Sequence, residues 1–190
     1  MLHERILMSI YRTVTKSDSL PPRFGPQWEV IGFQGNDPAT DLRGAGVLAL
    51  LQMLHLAGRR PKLVESVFAT SASGTAFPMM VVSINLTQIS LQALRGGAIT
   101  KEANRAPPTK GKQGYEPVYE TFHSLHAACF LYMVREWKRR GLGIQDFGNL
   151  RKEIETLALK KPAKLLAALK EYDAGPAQGL VTKGGPVSFG

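Results

Sequence analysis

The sequence predicts an all-α fold in a single domain. Three observations carry this. Apolar residues recur at steps of three and four in successive stretches, no hairpin signal occurs anywhere, and breaks rich in glycine or proline separate the stretches. With 190 residues, 44% of them hydrophobic, the chain has enough apolar material for one sizeable core.

Each element follows from its own pattern. Ile6, Leu7, Ile10 and Tyr11 mark a short amphipathic helix near the N-terminus, and the three prolines between Lys16 and Pro26 mark a linker. Val47, Leu48, Leu50, Leu51, Leu54 and Leu56 give the next helix a wide apolar face, with Thr40 or Asp41 expected as its N-cap and Arg59-Arg60-Pro61 as its stop. A short helix from Lys62 to about Ala72 turns Leu63, Val64, Val67 and Phe68 inward. The stretch Ser66 to Leu94 carries no charge, yet it holds Pro78, Asn85, Thr87, Gln88, Gln92 and five serines. That is too polar for a membrane span, so it reads as a buried helix capped by Thr75, with Val82, Leu86, Ile89 and Ala93 on its inner face. Arg95 to Gly114 is expected to be an exposed loop. The longest helix runs from about Pro117 to Arg140, with Val118, Phe122, Leu125, Cys129 and Met133 in one stripe and Gly141 as its stop. Phe147, Leu150, Ile154 and Leu157 mark another helix. Pro162 opens a short last one with Leu165, Leu166 and Leu169. From Asp173 onward, five glycines and two prolines in eighteen residues promise no structure of their own. If that tail is ordered, Leu180, Val181, Val187 and Phe189 are expected to rest on another chain or in a groove between helices.

One stretch is denser in chemistry than any other. Trp28 to Gly46 reads W-E-V-I-G-F-Q-G-N-D-P-A-T-D-L-R-G-A-G. If the following helix opens at its end, Arg43 sits in the first turn, where the helix dipole disfavours a cation, beside unpaired amides at Gly44 and Ala45 that suit an anion. By itself Arg43 reads as a brace paired with Asp41 or Glu29.

The pattern W-x3-G-F-Q-G-x2-P-x-T-D-x-R-G-x-G resembles the signature of the ELMO domain, in the branch of ELMO-domain-containing proteins. Two later blocks add to the resemblance: F-P-M-M-V-V-S-I-N-L-T, and F-H-x-L-H-x3-F-L from Phe122. The sequence departs from the family pattern at Leu42, Ala49 and Leu56, all on the packing side. The resemblance implies an all-helical bundle, with residues 1–27 as an N-terminal helix and linker, 28–172 as the ELMO domain and 173–190 as the tail.

It also implies a function. In that branch the arginine is the proposed finger of a GTPase-activating protein for Arf-like small GTPases, and Arg43 stands at its place. The catalytic candidate is therefore Arg43, with Gln34, Gly35, Asp41 and Gly44 as partner-binding candidates. Asp41 would serve as cap and orienter of the arginine, and Gln34 would hydrogen-bond the loop backbone between Gly32 and Gly35. Trp28 and Phe33 are expected as core anchors. No cofactor of the chain's own is implied, since GTP and Mg²⁺ belong to the partner GTPase. The rival reading is a non-catalytic structural or adaptor subunit of a larger cytoskeletal or ciliary assembly.

Composition bounds the rest. A net charge of +9 points to an acidic partner surface, and the stretch from Arg135 to Lys170 concentrates the excess, with ten Lys/Arg against four Asp/Glu. Aromatic interleaving there is thin and no nucleic-acid motif occurs, so a protein or a peripherally touched membrane is the expected partner rather than nucleic acid. The single cysteine, Cys129, excludes an internal disulfide and fits a cytoplasmic setting. His123, His126 and Cys129 invite a metal reading, but steps of three misalign the first and last and no fourth ligand is evident. No metal is expected.

Overall fold

The computed structural model describes residues 2–74, 76–105 and 115–175. The fold is all-α, a single-domain helical bundle. Its elements are α1 (Leu2–Thr15), α2 (Gln27–Val30), a 3-10 turn at Pro38–Gly44, α3 (Val47–Arg59), α4 (Pro61–Ser71), α5 (Met79–Arg95), α6 (Thr100–Arg105), α7 (Glu116–Arg140), a 3-10 turn at Ile144–Asp146, α8 (Phe147–Lys160) and α9 (Pro162–Ala174).

α5 and α7 form the centre. Val82, Leu86, Ile89 and Ala93 of α5 are fully buried, as are Leu125, Cys129, Phe130, Met133, Val134 and Trp137 of α7. Around them pack α1 and α3 on one side and α8 and α9 on another. Ile6, Leu7, Ile10 and Val14 place α1 in the same core. Among the described residues no helix is long and apolar enough to cross a membrane.

The polar side chains Asn85, Thr87 and Ser90 of α5 find partners in the preceding turn or in α8. Thr87 and Ser90 donate to the carbonyls of Ser83 and Leu86, one turn back. Asn85, half-buried, donates to the Val81 carbonyl at 2.9 Å and accepts from Arg151 Nε at 3.1 Å, which ties α5 to α8. Short hydroxyls and amides on a buried helix are tolerated because the preceding turn supplies acceptors.

Three expectations need correction. Arg95 to Gly114 is not wholly a loop: α6 forms within it because Ile99 and Ala103 reach the core. Val118 lies on the surface and not in the α7 stripe, because α7 starts beyond the bundle and becomes buried only from Phe122. Asp173 is helical, since α9 continues to Ala174, and it pairs with Arg60 at the start of α4. The expected cap Thr75 and the tail side chains Leu180, Val181, Val187 and Phe189 lie outside the described residues; Pro78 holds the N-cap position of α5.

Candidate functional site

The loop from Arg23 to Gly46 is held at several points before its arginine is reached. Trp28 is buried, with its ring edge-on between Tyr11 of α1 and Phe33, and its indole N–H donates to the Arg23 carbonyl at 3.2 Å. An indole that buries its ring and satisfies its N–H is a strong local anchor. Arg23 itself pairs with Asp37 at 2.7 Å and lies over the Phe24 ring.

The middle of the loop caps α5. The amides of Met80 and Val81, in the first turn of α5, donate to the carbonyls of Ile31 and Gly32, both at 3.1 Å. A helix start leaves such amides without intrahelical partners, so the loop supplies what Pro78 cannot. This close approach requires Gly32. Its φ is +87°, and a Cβ there would overlap the backbone of Pro78 and Met79.

The last part of the loop is the 3-10 turn at Pro38–Gly44. Its N-cap is Asp37, whose carboxylate accepts from the Ala39 amide at 2.9 Å, with Pro38 next. Those contacts, with the Arg23 guanidinium, hold the Asp37 carboxyl below its usual pKa, the Ala39 amide contributing most. The cap expected for α3 at Thr40 or Asp41 is not found, since Gly46 holds the N-cap position of α3; the 3-10 turn and its cap Asp37 carry a legible turn signal in D-P-x-T. Thr40 instead donates its hydroxyl to the Asp37 carbonyl at 2.8 Å. Asp41 reaches back across the loop to accept from the main-chain amide of Gln34 at 2.7 Å. Gln34 thus bonds through its backbone, while its side chain is exposed.

Arg43 occupies the end of this 3-10 turn and not the first turn of α3, which begins at Val47 after Gly46 in a φ of +58°. The expected conflict with the helix dipole is therefore absent. Nor is the Ala45 amide free, since it donates to the Leu42 carbonyl at 3.3 Å. The Arg43 side chain is exposed, and its Nε donates to the Thr40 carbonyl at 3.0 Å. Neither Asp41 nor Glu29 pairs with it, and it forms no ion pair among the described residues. The Nε bond fixes the stem and leaves the two terminal nitrogens facing outward.

Gly44, also exposed, lies against the tip of the Gln88 side chain of α5, which a Cβ there would displace. Gly35 has φ +83° with open space around it, so backbone conformation alone calls for glycine there. Gln34, Gly35, Asp41, Arg43 and Gly44 therefore belong to one loop, joined by the Asp41 bond and backed by α5.

Beside this loop the start of α3 shows apolar surface. Val47 and Leu51 are exposed, and Leu51 edges a groove of about 300 Å³ floored by Leu48, Leu54, Phe122 and two stacked histidines, His55 and His123. Burial drives His123 down to a pKa of about 4, so the ring is neutral, and its Nδ1 has no hydrogen-bond partner among the described residues. No sequence signal pointed to this groove.

The other group weighed for chemistry is interior. His126 contacts the Ser83 hydroxyl at 3.2 Å through Nε2, and burial takes it down to about 3, with Ser83 opposing. Burial pushes the Cys129 thiol up to about 12. Both are sealed inside α7 and α5, unavailable to solvent. Among the described residues no three His, Cys, Asp or Glu side chains group as metal ligands.

Comparison with known proteins bears on the same residues. A sequence model described as the ELMO/CED-12 family matches residues 1–151. ELMO domain-containing protein 3 of Mus musculus is 38% identical over 180 residues, covering 93% of this chain and 45% of that protein. The Homo sapiens protein of the same name is 38% identical over 181 residues, covering 94% and 45%. ELMO domain-containing protein 2 of Homo sapiens is 28% identical over 130 residues, covering 68% and 42%. The chain thus spans about half the length of the curated relatives it matches. No solved structure matches.

Proposed function

The chain belongs to the ELMO/CED-12 family, and we propose that it activates GTP hydrolysis by an Arf-like small GTPase, supplying Arg43 as an arginine finger. One observation carries this reading: an exposed guanidinium with no ion pair among the described residues, held by its stem on a loop that is itself fixed to α5. A brace would be paired, and a core arginine would be buried.

The chemistry asked of the chain is small. GTP, Mg²⁺ and the attacking water are the partner's, and the chain has no catalytic cycle of its own. Arg43 meets charge developing on the transferring phosphoryl group, a role worth roughly 10³ to 10⁵ in rate. Delivery depends on preorganisation, because a finger that must first be ordered loses part of that gain. The Asp41 bond to Gln34 and the Asp37 cap provide it. Gln34, Gly35 and Gly44 lie on the face a GTPase would cover, and Val47 and Leu51 offer it apolar contact beside the finger. The net charge of +9 suits an acidic partner surface in the cytoplasm.

Single-turnover GTP hydrolysis across a panel of Arf-like GTPases tests the reading. The expected result is acceleration of at least one by about 10³ or more. Binding to a GTPase without acceleration would favour the rival reading of an adaptor subunit in a larger assembly.

A further inference from the structure

The far end of α3, about 20 Å from Arg43 at 1.5 Å per residue, holds a second concentration of positive charge. A cavity of 490 Å³ opens where the starts of α4 and the ends of α3 and α9 meet the flank of α7. Arg59, Arg60, Lys62 and Arg135 line it, against Glu171 and Asp173.

These cations are not equivalent. Arg60 is committed to Asp173, with Nε at 3.0 Å and Nη2 at 2.8 Å from its oxygens. Arg59 leans towards Glu120 at 3.4 Å. Arg135 is half-buried, yet it makes no hydrogen bond and no ion pair among the described residues. Burial disfavours its charge, and Glu171 and Tyr172 offset that only through space. Lys62 also has no partner among the described residues. Lys62 lies in the first turn of α4, which opens at Arg60 and Pro61 with no side-chain cap, and Arg135 lies on α7. A guanidinium carries five donors, and those of Arg135 reach solvent, where an entering anion can accept from them.

We propose that this cavity binds a phosphomonoester on a small organic body, independently of the GTPase reading. Arg135 supplies the fork, Lys62 the point charge, and Tyr172 packs the carbon skeleton. The charge favours an anion, because Arg60 is matched by Asp173 and Arg59 by Glu120, which leaves Lys62 and Arg135 against Glu171, and the planar fork of Arg135 suits the paired oxygens of a phosphate. The volume favours a body larger than the phosphate itself. Such an ester is either free in solution or the headgroup of a lipid.

The test uses the full chain, with inositol 1,4,5-trisphosphate as the soluble probe and vesicles carrying phosphatidylinositol 4,5-bisphosphate as the lipid probe. Phosphatidylserine vesicles of matched surface charge and inorganic phosphate are the controls. Trisphosphate is expected to raise the melting temperature, and Arg135→Met to weaken its binding roughly tenfold or more. The same variant without ligand should melt no lower than the parent, because it removes an unpaired half-buried charge. Lys62→Gln, on an exposed residue, should weaken binding with the fold unchanged, and Arg43→Lys should bind as the parent does. Soluble binding identifies a free ester; binding confined to bisphosphate vesicles and lost in Arg135→Met identifies a headgroup. An Arg135→Met chain that melts lower and binds either probe as well as the parent overturns the proposal. So does failure of both probes to bind, or equal binding to phosphatidylserine.

Discussion

Arg43 and Arg140 end neighbouring stories in the same sequence, and the protein treats them oppositely. Arg140, in the last turn of α7, contacts the buried Glu136 and donates two hydrogen bonds to Glu153 of α8 at 2.8 and 2.9 Å. Glu153 also accepts from the Tyr132 hydroxyl, and Arg139 shares Glu136. The carboxylates raise the proton affinity of Arg140, and Arg140 in turn holds Glu153 below the usual carboxylate range. This network ties two helices together and commits both guanidiniums to carboxylates of the fold. Arg43 shows the reverse arrangement: the loop around it is tied down, and beyond its Nε bond to the Thr40 carbonyl the guanidinium makes no ion pair among the described residues. An exposed arginine costs little to hold, whereas a paired one is already used by the fold. Arg139, Arg140 and Arg151 in the stretch from Arg135 to Lys170 are of the second kind. A count of cations along a sequence therefore overstates the number free to meet a partner.

Perturbations separate the two regions by size. The largest effect belongs to the interior behind both: Val82→Asp places an unpaired carboxylate where the side chain is fully buried. Loss of soluble, monodisperse protein is expected in size-exclusion chromatography; a cooperative, soluble variant would show that Val82 is peripheral. Gly32→Ala strikes the joint between loop and α5. Strain at φ +87° and overlap with the Met79 backbone should cost about 3 kcal/mol in denaturant melts. A cost under about 1 kcal/mol would mean the joint yields easily.

Acid probes the interior alone. His126 and His123 are held neutral in the fold, down to about 3 and 4, against ordinary values near 6.5. Below pH 6.5 the unfolded chain binds protons that the folded one refuses, so stability is full above that pH and declines towards about pH 4. The slope is up to about 1.4 kcal/mol per pH unit for each histidine. Chemical denaturation at stepped pH should show it, and His126→Gln should flatten the slope; an unchanged slope would place the loss elsewhere. Asp41→Asn is the mildest change, at about 1 kcal/mol. It should reduce GTPase stimulation while barely moving the melt, and equal stimulation would show that the Gln34 bond does not position the finger.

The helices were legible where burial is continuous. α5 and α7 carry their apolar residues at helical steps, and the expected inward set of α5 is fully buried. α6 was not legible, because only Ala103 within it meets the core and the other five residues are polar. Val118 misled for a related reason: periodicity tells which side of a helix is apolar but not how far the bundle extends along it. At the loop, W-x3-G-F-Q-G and D-L-R-G located the candidate residues. Their geometry was hidden because the bonds are tertiary. Gly32 is explained by the start of α5, far along the sequence, only once Met80 and Val81 are seen donating to Ile31 and Gly32. The cap at Asp37 was readable from its proline, but the apolar run after Val47 drew the helix start towards Thr40 and Asp41.

The central claim is that Arg43 is free for a partner and idle in the fold. The most direct measurement is single-turnover GTP hydrolysis by a responsive Arf-like GTPase with the parent chain and with Arg43→Lys, alongside thermal melts of the same samples. Lysine keeps the charge but not the planar fork. The account predicts that stimulation falls by about 10³ or more while the melting temperature stays unchanged. Retained stimulation at an unchanged melting temperature would contradict it.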